Sequence, residues 1–241
     1  MYIDMLNAKT LAERFQSAFL VENRWKLYFE GLGNTLIISA MAVIIGVVLG
    51  FIIAIVNYTN KKTGKMRVLG GIFKIYITII RGTPVVLQLF IMYFIVLAAM
   101  DSGIIVGAIT FGLNSAAYVA EIARGGLEAV DDGQMEAGRS LGLSYTQTVI
   151  RIILPQAIRS VLPSLFNEFI SLVKETAVVG YVGIRDLGKI PGLIQSRTFD
   201  YLFPLLFASV LYLIVVYILT LILRKIEKIL SKSDRSLGGG N

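Results

Sequence analysis

The 241-residue chain contains no cysteine and no histidine. That removes disulfides, thiolate nucleophiles, Cys/His zinc sites and a Ser-His-Asp triad. The chemistry left to it lies in ionisable and amide side chains set among apolar runs. Asn114, Tyr118 and Glu121 stand at i, i+4 and i+7, one helix face carrying an amide, a phenol and a carboxylate. Glu168, Ser171 and Glu175 repeat that spacing, and so do Asn167, Ser171 and Lys174. Arg81 precedes Gly82-Thr83-Pro84, and Gln88 follows Pro84 by one turn. A proline there removes a backbone hydrogen bond and kinks its helix. Interrupted helices offer freed backbone groups to a transported ligand.

Ionisable groups at membrane depth cost about 2.5–3.5 kcal/mol each on insertion scales. Arg81, Thr83, Pro84, Gln88, Asn114, Tyr118, Glu121, Ser171, Lys174 and Glu175 are therefore the candidate solute path. Mixed charge suits a zwitterion, whose carboxylate and ammonium both need partners when desolvated. The competing reading is interhelical glue, with Arg81 paired to Glu121 or Glu175. Arg124 and Glu128 lie further toward the cytoplasm and read as braces for the loop that follows. No acidic cluster has metal-ligand spacing.

These residues need apolar elements to carry them. The composition is 56% hydrophobic and 16% charged, with a mean hydropathy of +0.74. An ordinary soluble domain carries about 25% charged residues. Thr35–Val56 and Tyr201–Leu223 are uncharged throughout, and about 20 apolar helical residues cross a bilayer. Gly82–Met100, Ser102–Ala120 and Pro155–Val182 are weaker candidates, for five spans in all. Gly46, Gly50, Gly70 and Gly71 read as close-packing positions between helices.

The net charge of +7 is distributed as basic loops, not as a nucleic-acid surface. Lys61, Lys62, Lys65 and Arg67 flank one firm span; Arg224, Lys225 and Lys228 flank the other. The positive-inside rule then sets the N-terminus outside and the C-terminus inside. Residues 1–30 lack the basic head and apolar stretch of a signal peptide. They read as an amphipathic helix on the outer membrane face, with Trp25 and Tyr28 at headgroup level.

The stretch from Gln134 to Ala157 is a polar interruption on the cytoplasmic side. Asp131 and Gln134 have capping-box spacing, as do Ser144 and Gln147. Gly142 fits a left-handed helix end, and Pro155 opposes continuation beyond Leu154. The pattern predicts two short helices, roughly 132–141 and 145–154, set at an angle by Gly142.

"EAGRSLGLSYTQTVIRIILP" resembles the cytoplasmic EAA loop of permease subunits of type I ABC importers. That pattern is Glu-Ala-Ala, three residues, Gly, nine residues, Ile, one residue, Leu-Pro. Here Glu136, Ala137, Gly138, Gly142, Ile152, Leu154 and Pro155 fill it, with Gly138 where a second alanine is usual. "RGTPVVLQLF", "NSAAYVAEIARGGLEAVDDGQMEAGRSLG", "SLVKETAVVGYVG" and "SRTFDYLFPLL" resemble the polar amino acid branch of that family. The likeness spans roughly residues 30–230.

The resemblance implies an all-α integral membrane protein with the five-helix permease fold and cytoplasmic coupling helices. Gln134, Glu136, Ala137, Gly138, Gly142, Leu154 and Pro155 would be the ATPase-coupling residues. It implies two ABC ATPase subunits carrying ATP and Mg, and no cofactor on this chain itself. It also implies a second permease copy or paralogue and an extracytoplasmic solute-binding protein. The expected organisation is an N-terminal segment over 1–30, one permease domain over 31–230 with its coupling loop at 129–155, and a flexible cytoplasmic tail over 231–241.

The function expected is import of a polar amino acid across a bacterial inner membrane by alternating access, with no bond chemistry. Glu121 and Glu175 incline the solute toward a basic side chain; Arg81 and Lys174 pull the other way. A secondary transporter or channel is the alternative, and a membrane enzyme using carboxylate or Lys-Ser chemistry a more distant one. "GIRDLGK" (Gly183–Lys189) approaches a phosphate-binding loop, but Ile190 stands where the magnesium-binding hydroxyl is needed.

Overall fold

The computed structural model describes residues 10–238, with side chains through residue 230. Ten α-helices follow one another, and there is no strand among the described residues. They are α1 (Leu11–Phe19), α2 (Trp25–Thr63), α3 (Arg67–Gly82), α4 (Val85–Ile91) and α5 (Gly103–Glu128), then α6 (Asp132–Ser140), α7 (Tyr145–Thr148), α8 (Leu154–Glu175), α9 (Ile190–Thr198) and α10 (Leu202–Gly238). α2, α5, α8 and α10 are each long and apolar enough to cross a membrane. The candidate for a fifth span is a broken pair, a bent span or a re-entrant loop: α3 and α4 with its terminal wide turn, Met92–Val96, meet at 110°.

That pair departs from the expected Gly82–Met100 span. The helix begins at Arg67 and carries Lys74 and Arg81, which lie seven residues apart on one face. Val68, Ile72, Ile75 and Ile79 stand exposed and apolar elsewhere on it. Charge inside an amphipathic helix hides a span from any reading that counts uncharged runs. The kink at Pro84 occurs as expected: Thr83 and Pro84 are both extended, at ψ 147° and 132°.

α2 and α5 form the central packed pair. Gly46 and Gly50 let them approach: a Cβ at Gly46 would meet the Ser115 Cβ at 2.8 Å, and one at Gly50 the Val119 Cγ1 at 2.6 Å. Gly70 likewise faces Asn60, whereas Gly71 has nothing within 4 Å and is no packing position. Ala54, Tyr58, Ala123, Leu127, Val149, Ile153 and Ala157 form the buried core where α2 and α5 meet the start of α8.

The N-terminal helix has contacts that its own sequence does not reveal. Thr10 and Glu13 make a complete capping box, but the helix is docked on protein. Phe19 packs against Tyr28 and Phe207, and Phe15 against Phe203. Arg14 donates twice to Asp200, at 2.6 and 2.8 Å. Tyr28 is fully buried among these side chains, while Trp25 is exposed. Residues 1–9 of the expected N-terminal segment and 239–241 of the expected tail lie outside the described residues; the α10 backbone continues to Gly238.

Candidate functional site

Arg81 ends α3 just before the break, and the break aims it at α5. Its guanidinium lies 5.3 Å from the Tyr118 ring centroid and 3.8 Å from Glu121 Oε2. Glu121 also accepts from Arg124 at 2.9 Å, and Arg124 donates onward to Glu128 at 3.0 Å. These groups border a chamber of about 540 Å³ between α2, α3 and α5, with Asn57, Asn60, Lys61, Lys74 and Thr78 on its other walls. Four cations (Lys61, Lys74, Arg81, Arg124) face two carboxylates (Glu121, Glu128). Both carboxylates are already ion-paired.

The remaining candidates divide. Gln88 donates to the carbonyls of Ile80 and Thr83 and to Thr83 Oγ1, at 2.8, 3.1 and 2.9 Å. It thereby satisfies the Ile80 carbonyl, whose helical donor would have been the N–H that Pro84 lacks. Its own oxygen accepts from Asn114 Nδ2 at 2.9 Å, and Asn114 is buried. Thr83, Pro84, Gln88 and Asn114 thus build the break that presents Arg81. Ser171, Lys174 and Glu175 line none of this chamber; Lys174 and Glu175 are exposed on the last turn of α8. Glu168, one turn before Ser171, instead accepts from Ser115 of α5 at 2.8 Å. The wall residues Asn57, Asn60, Lys61 and Lys74 were not anticipated. Lys61 belongs in sequence to a basic cluster beyond the uncharged span, and Lys74 to a helix whose charges break its apolar run.

The coupling loop folds much as its local signals require. Asp131 caps α6 through the Gly133 amide at 2.7 Å, but Gln134 does not close the box; its oxygen instead faces Gln156 at 3.5 Å. Gly142 is left-handed at φ 85°. Leu143 N–H bonds Gly138 O and Gly142 N–H bonds Arg139 O, at 3.1 and 3.0 Å. That is a complete Schellman end. Ser144 and Gln147 form the reciprocal box that opens α7. The expected stop at Pro155 does not occur. One wide turn over Val149–Ile153 carries α7 into α8, and Pro155 sits in the first turn of α8. The wide turn absorbs the missing proline donor and the crowding of its ring.

α6 buries Gly138 and exposes Glu136, Ala137 and Ser140, with Leu141 81% exposed beyond its end. Leu141 is an apolar knob on a polar surface, and no pattern in the sequence distinguishes it from the core leucines. In the loop after α8, Asp186 accepts from the Gly188 and Lys189 amides at 2.8 and 3.0 Å. The amides that a phosphate would need in "GIRDLGK" are taken by the loop's own carboxylate. Among the described residues no acidic group has the makings of a metal site.

Apolar spans around a charged chamber, with a capped helix projecting from the same bundle, are the build of a membrane transport protein, and the comparisons with known proteins narrow it to a non-catalytic permease subunit of an ABC importer. The chain belongs to the family described as binding-protein-dependent transport system inner membrane component, matched over residues 46–232. It is 39% identical over 215 residues to a putative glutamine transport system permease protein of Rickettsia conorii, covering 87% of this chain and 96% of that one. It is 37% identical to an arginine transport system permease protein of Bacillus subtilis, covering 85% and 93%. A solved amino acid ABC transporter with histidines superposes with a TM-score of 0.77 at 36% identity, covering 87% of this chain and 97% of that one. A methionine ABC transporter in inward-facing form, at 22% identity and TM-score 0.75, shares the fold. The chain is therefore a multi-pass membrane permease of the amino acid branch.

Proposed function

We propose that the chamber between α2, α3 and α5 is part of the solute passage, and that α6 is the contact with partner ATPase subunits. The observation that carries this reading is Arg81 facing Glu121 in a cavity shared by three helices: charged groups on apolar spans are costly without an aqueous or ligand-bearing role, and Lys61 and Glu128 line the end of the cavity nearer the basic loop. The orientation follows the basic loops, with α6 and α7 inside and α9 outside, in a bacterial inner membrane. Two ATPase subunits bearing ATP and Mg, a second permease copy or paralogue and an external solute-binding protein complete the assembly. Residues 31–230 act as one permease domain, which rocks between outward and inward access as the ATPases close and open.

The solute is a polar amino acid. Similar proteins are named for glutamine and for arginine, which share a zwitterionic head and differ in side-chain charge. Glu121 is held between Arg81 and Arg124, so it gives weaker ground for a basic solute than its sequence position suggested. The four-to-two excess of cations favours a solute that brings a carboxylate and no extra positive charge. Reconstitution with the cognate ATPase and binding protein, followed by uptake of glutamine, glutamate, arginine and histidine, tests both claims. Uptake without ATP that follows an ion gradient would turn the reading to a secondary transporter.

A further inference from the structure

The charged wall of the chamber does not end at the chamber. Starting from Arg81 on α3, the pairs run to Glu121 at 3.8 Å and to Arg124 at 2.9 Å. They continue to Glu128 at 3.0 Å and to Lys61 on α2 at 2.9 Å. The next residue, Lys62, donates to Asp132 Oδ1 at 2.6 Å. Asp132 is the first residue of α6. The ion pairs run from Arg81 as far as Lys61, and a separate pair, Lys62–Asp132, starts one residue further along α2, so the backbone of the last turn of α2 is what joins the break in the second span to the helix that projects toward the ATPase. Met135 of α6 packs beside the buried Tyr58–Leu127–Val149 core just below it, so α6 has an apolar pivot as well as a charged tether.

We infer that this chain of pairs couples solute occupancy to the position of α6, with Lys62 and Asp132 as its output joint. The inference rests on the reading of the chamber as solute passage and of α6 as ATPase contact. The loosest link is at the solute end and the tightest at α6. A solute carboxylate in the chamber competes with Glu121 for Arg81. Glu121 then draws on Arg124 alone, Arg124 releases part of its hold on Glu128, and Glu128 draws harder on Lys61. That shift is passed along α2 to Lys62 and so to Asp132. By linkage the coupling is reciprocal: displacement of α6 re-sorts the same pairs and changes the grip on the solute. Stability is a poor reason for the arrangement, because the Asp132 side chain is 74% exposed and exposed pairs stabilise little. Lys62 and Asp132 act here as positioning residues and do not touch solute.

The test is a charge-reversal cycle in the reconstituted full assembly with its binding protein. Lys62→Glu is expected to leave the ATPase subunits co-purifying, and Lys62→Glu and Asp132→Lys are each expected to lower amino-acid-stimulated ATP hydrolysis, per ATPase bound, by about fivefold or more, the usual lower range of an allosteric coupling. The double variant, Lys62→Glu with Asp132→Lys, is expected to restore most of the stimulation. Lys62→Gln should fall between. Single variants that stimulate like the unmodified assembly, or a double variant no better than the singles, would overturn the inference. A failure of the unmodified chain to recruit any ATPase, or to respond to any amino acid, would instead sink the reading beneath it.

Discussion

Gly138 of α6 lies against Thr148 of α7 so closely that a Cβ on the glycine would meet Thr148 Cγ2 at 2.5 Å and Oγ1 at 3.0 Å. Ile152 Cδ1 would stand 3.0 Å away on the same side. The departure from the usual Glu-Ala-Ala order is thus a packing feature. The two short helices cross over the missing methyl group, and the crossing sets the direction in which α6 projects.

Gly138→Ala should therefore hurt, although alanine is the better helix former by up to ~1 kcal/mol. Overpacking costs about 1–3 kcal/mol, and Thr148 is β-branched and buried, so it gives way poorly. The expected outcome is a lower melting temperature together with weaker ATPase recruitment. Gly138→Ala combined with Thr148→Ser removes the clashing methyl and should recover both. A single variant as stable as the parent would show that α7 can shift freely.

Gly142 isolates the other requirement of the same loop. Nothing lies within 4 Å of a Cβ built there, yet its φ is 85°. Gly142→Ala therefore carries a purely conformational cost of roughly 1–2 kcal/mol. Solute-stimulated ATP hydrolysis should drop as the Schellman end loosens, with membrane insertion unchanged. Stimulation equal to the parent would mean that the angle between α6 and α7 is held by packing at Gly138 alone.

Legibility in the sequence followed the range of the physical signal. Caps and helix ends are local, so Ser144–Gln147 and Gly142 could be read directly, whereas Asp131 caps through the Gly133 amide and makes no box with Gln134. Uncharged spans could be read because lipid excludes charge. α3 escaped because Lys74 and Arg81 face a cavity that only the fold creates. The Gln88–Asn114 bond, the Glu168–Ser115 bond and the Lys61–Glu128 pair join residues 26, 53 and 67 positions apart, and spacing along one chain carries no trace of them. The packing of Tyr28 against Phe207 is likewise a contact between distant segments.

Arg14 and Asp200 tie α1 to the start of α10. Arg14→Ala should release the N-terminal helix to protease while leaving the spans intact. Cleavage near residue 20, measured on the detergent-solubilised chain, should accelerate in the variant. An unchanged cleavage rate would show that the Phe15, Phe19 and Phe203 contacts hold α1 unaided.

Glu121 sets the charge of the chamber's centre. Glu121→Gln leaves Arg81 and Arg124 with one carboxylate fewer, so the lining becomes more positive by one charge. Transport by the variant assembly should shift from neutral toward acidic amino acids. A glutamate-to-glutamine uptake ratio about tenfold above the parent's, roughly 1.4 kcal/mol of discrimination, is the expected size. An unchanged ratio would mean that Glu121 serves only to hold helices together.

Asp186 makes stability depend on pH. Burial pushes its carboxyl up to about 6, against the opposing pull of the Gly188 and Lys189 amides and the Tyr212 hydroxyl. The ordinary aspartate value, which the unfolded chain keeps, is near 3.9. The folded state therefore binds this proton more tightly than the unfolded state. The stabilisation is complete below about pH 4 and is lost as the pH rises through about 6. Two units correspond to about 3 kcal/mol between those limits. The chain has no histidine to mask the effect. Thermal unfolding of the solubilised protein should thus occur at lower temperature at pH 7 than at pH 5, and Asp186→Asn should flatten that difference. Asparagine keeps an oxygen for one of the two loop amides, so the variant should still fold. A pH dependence that survives the substitution would assign it to another carboxyl group.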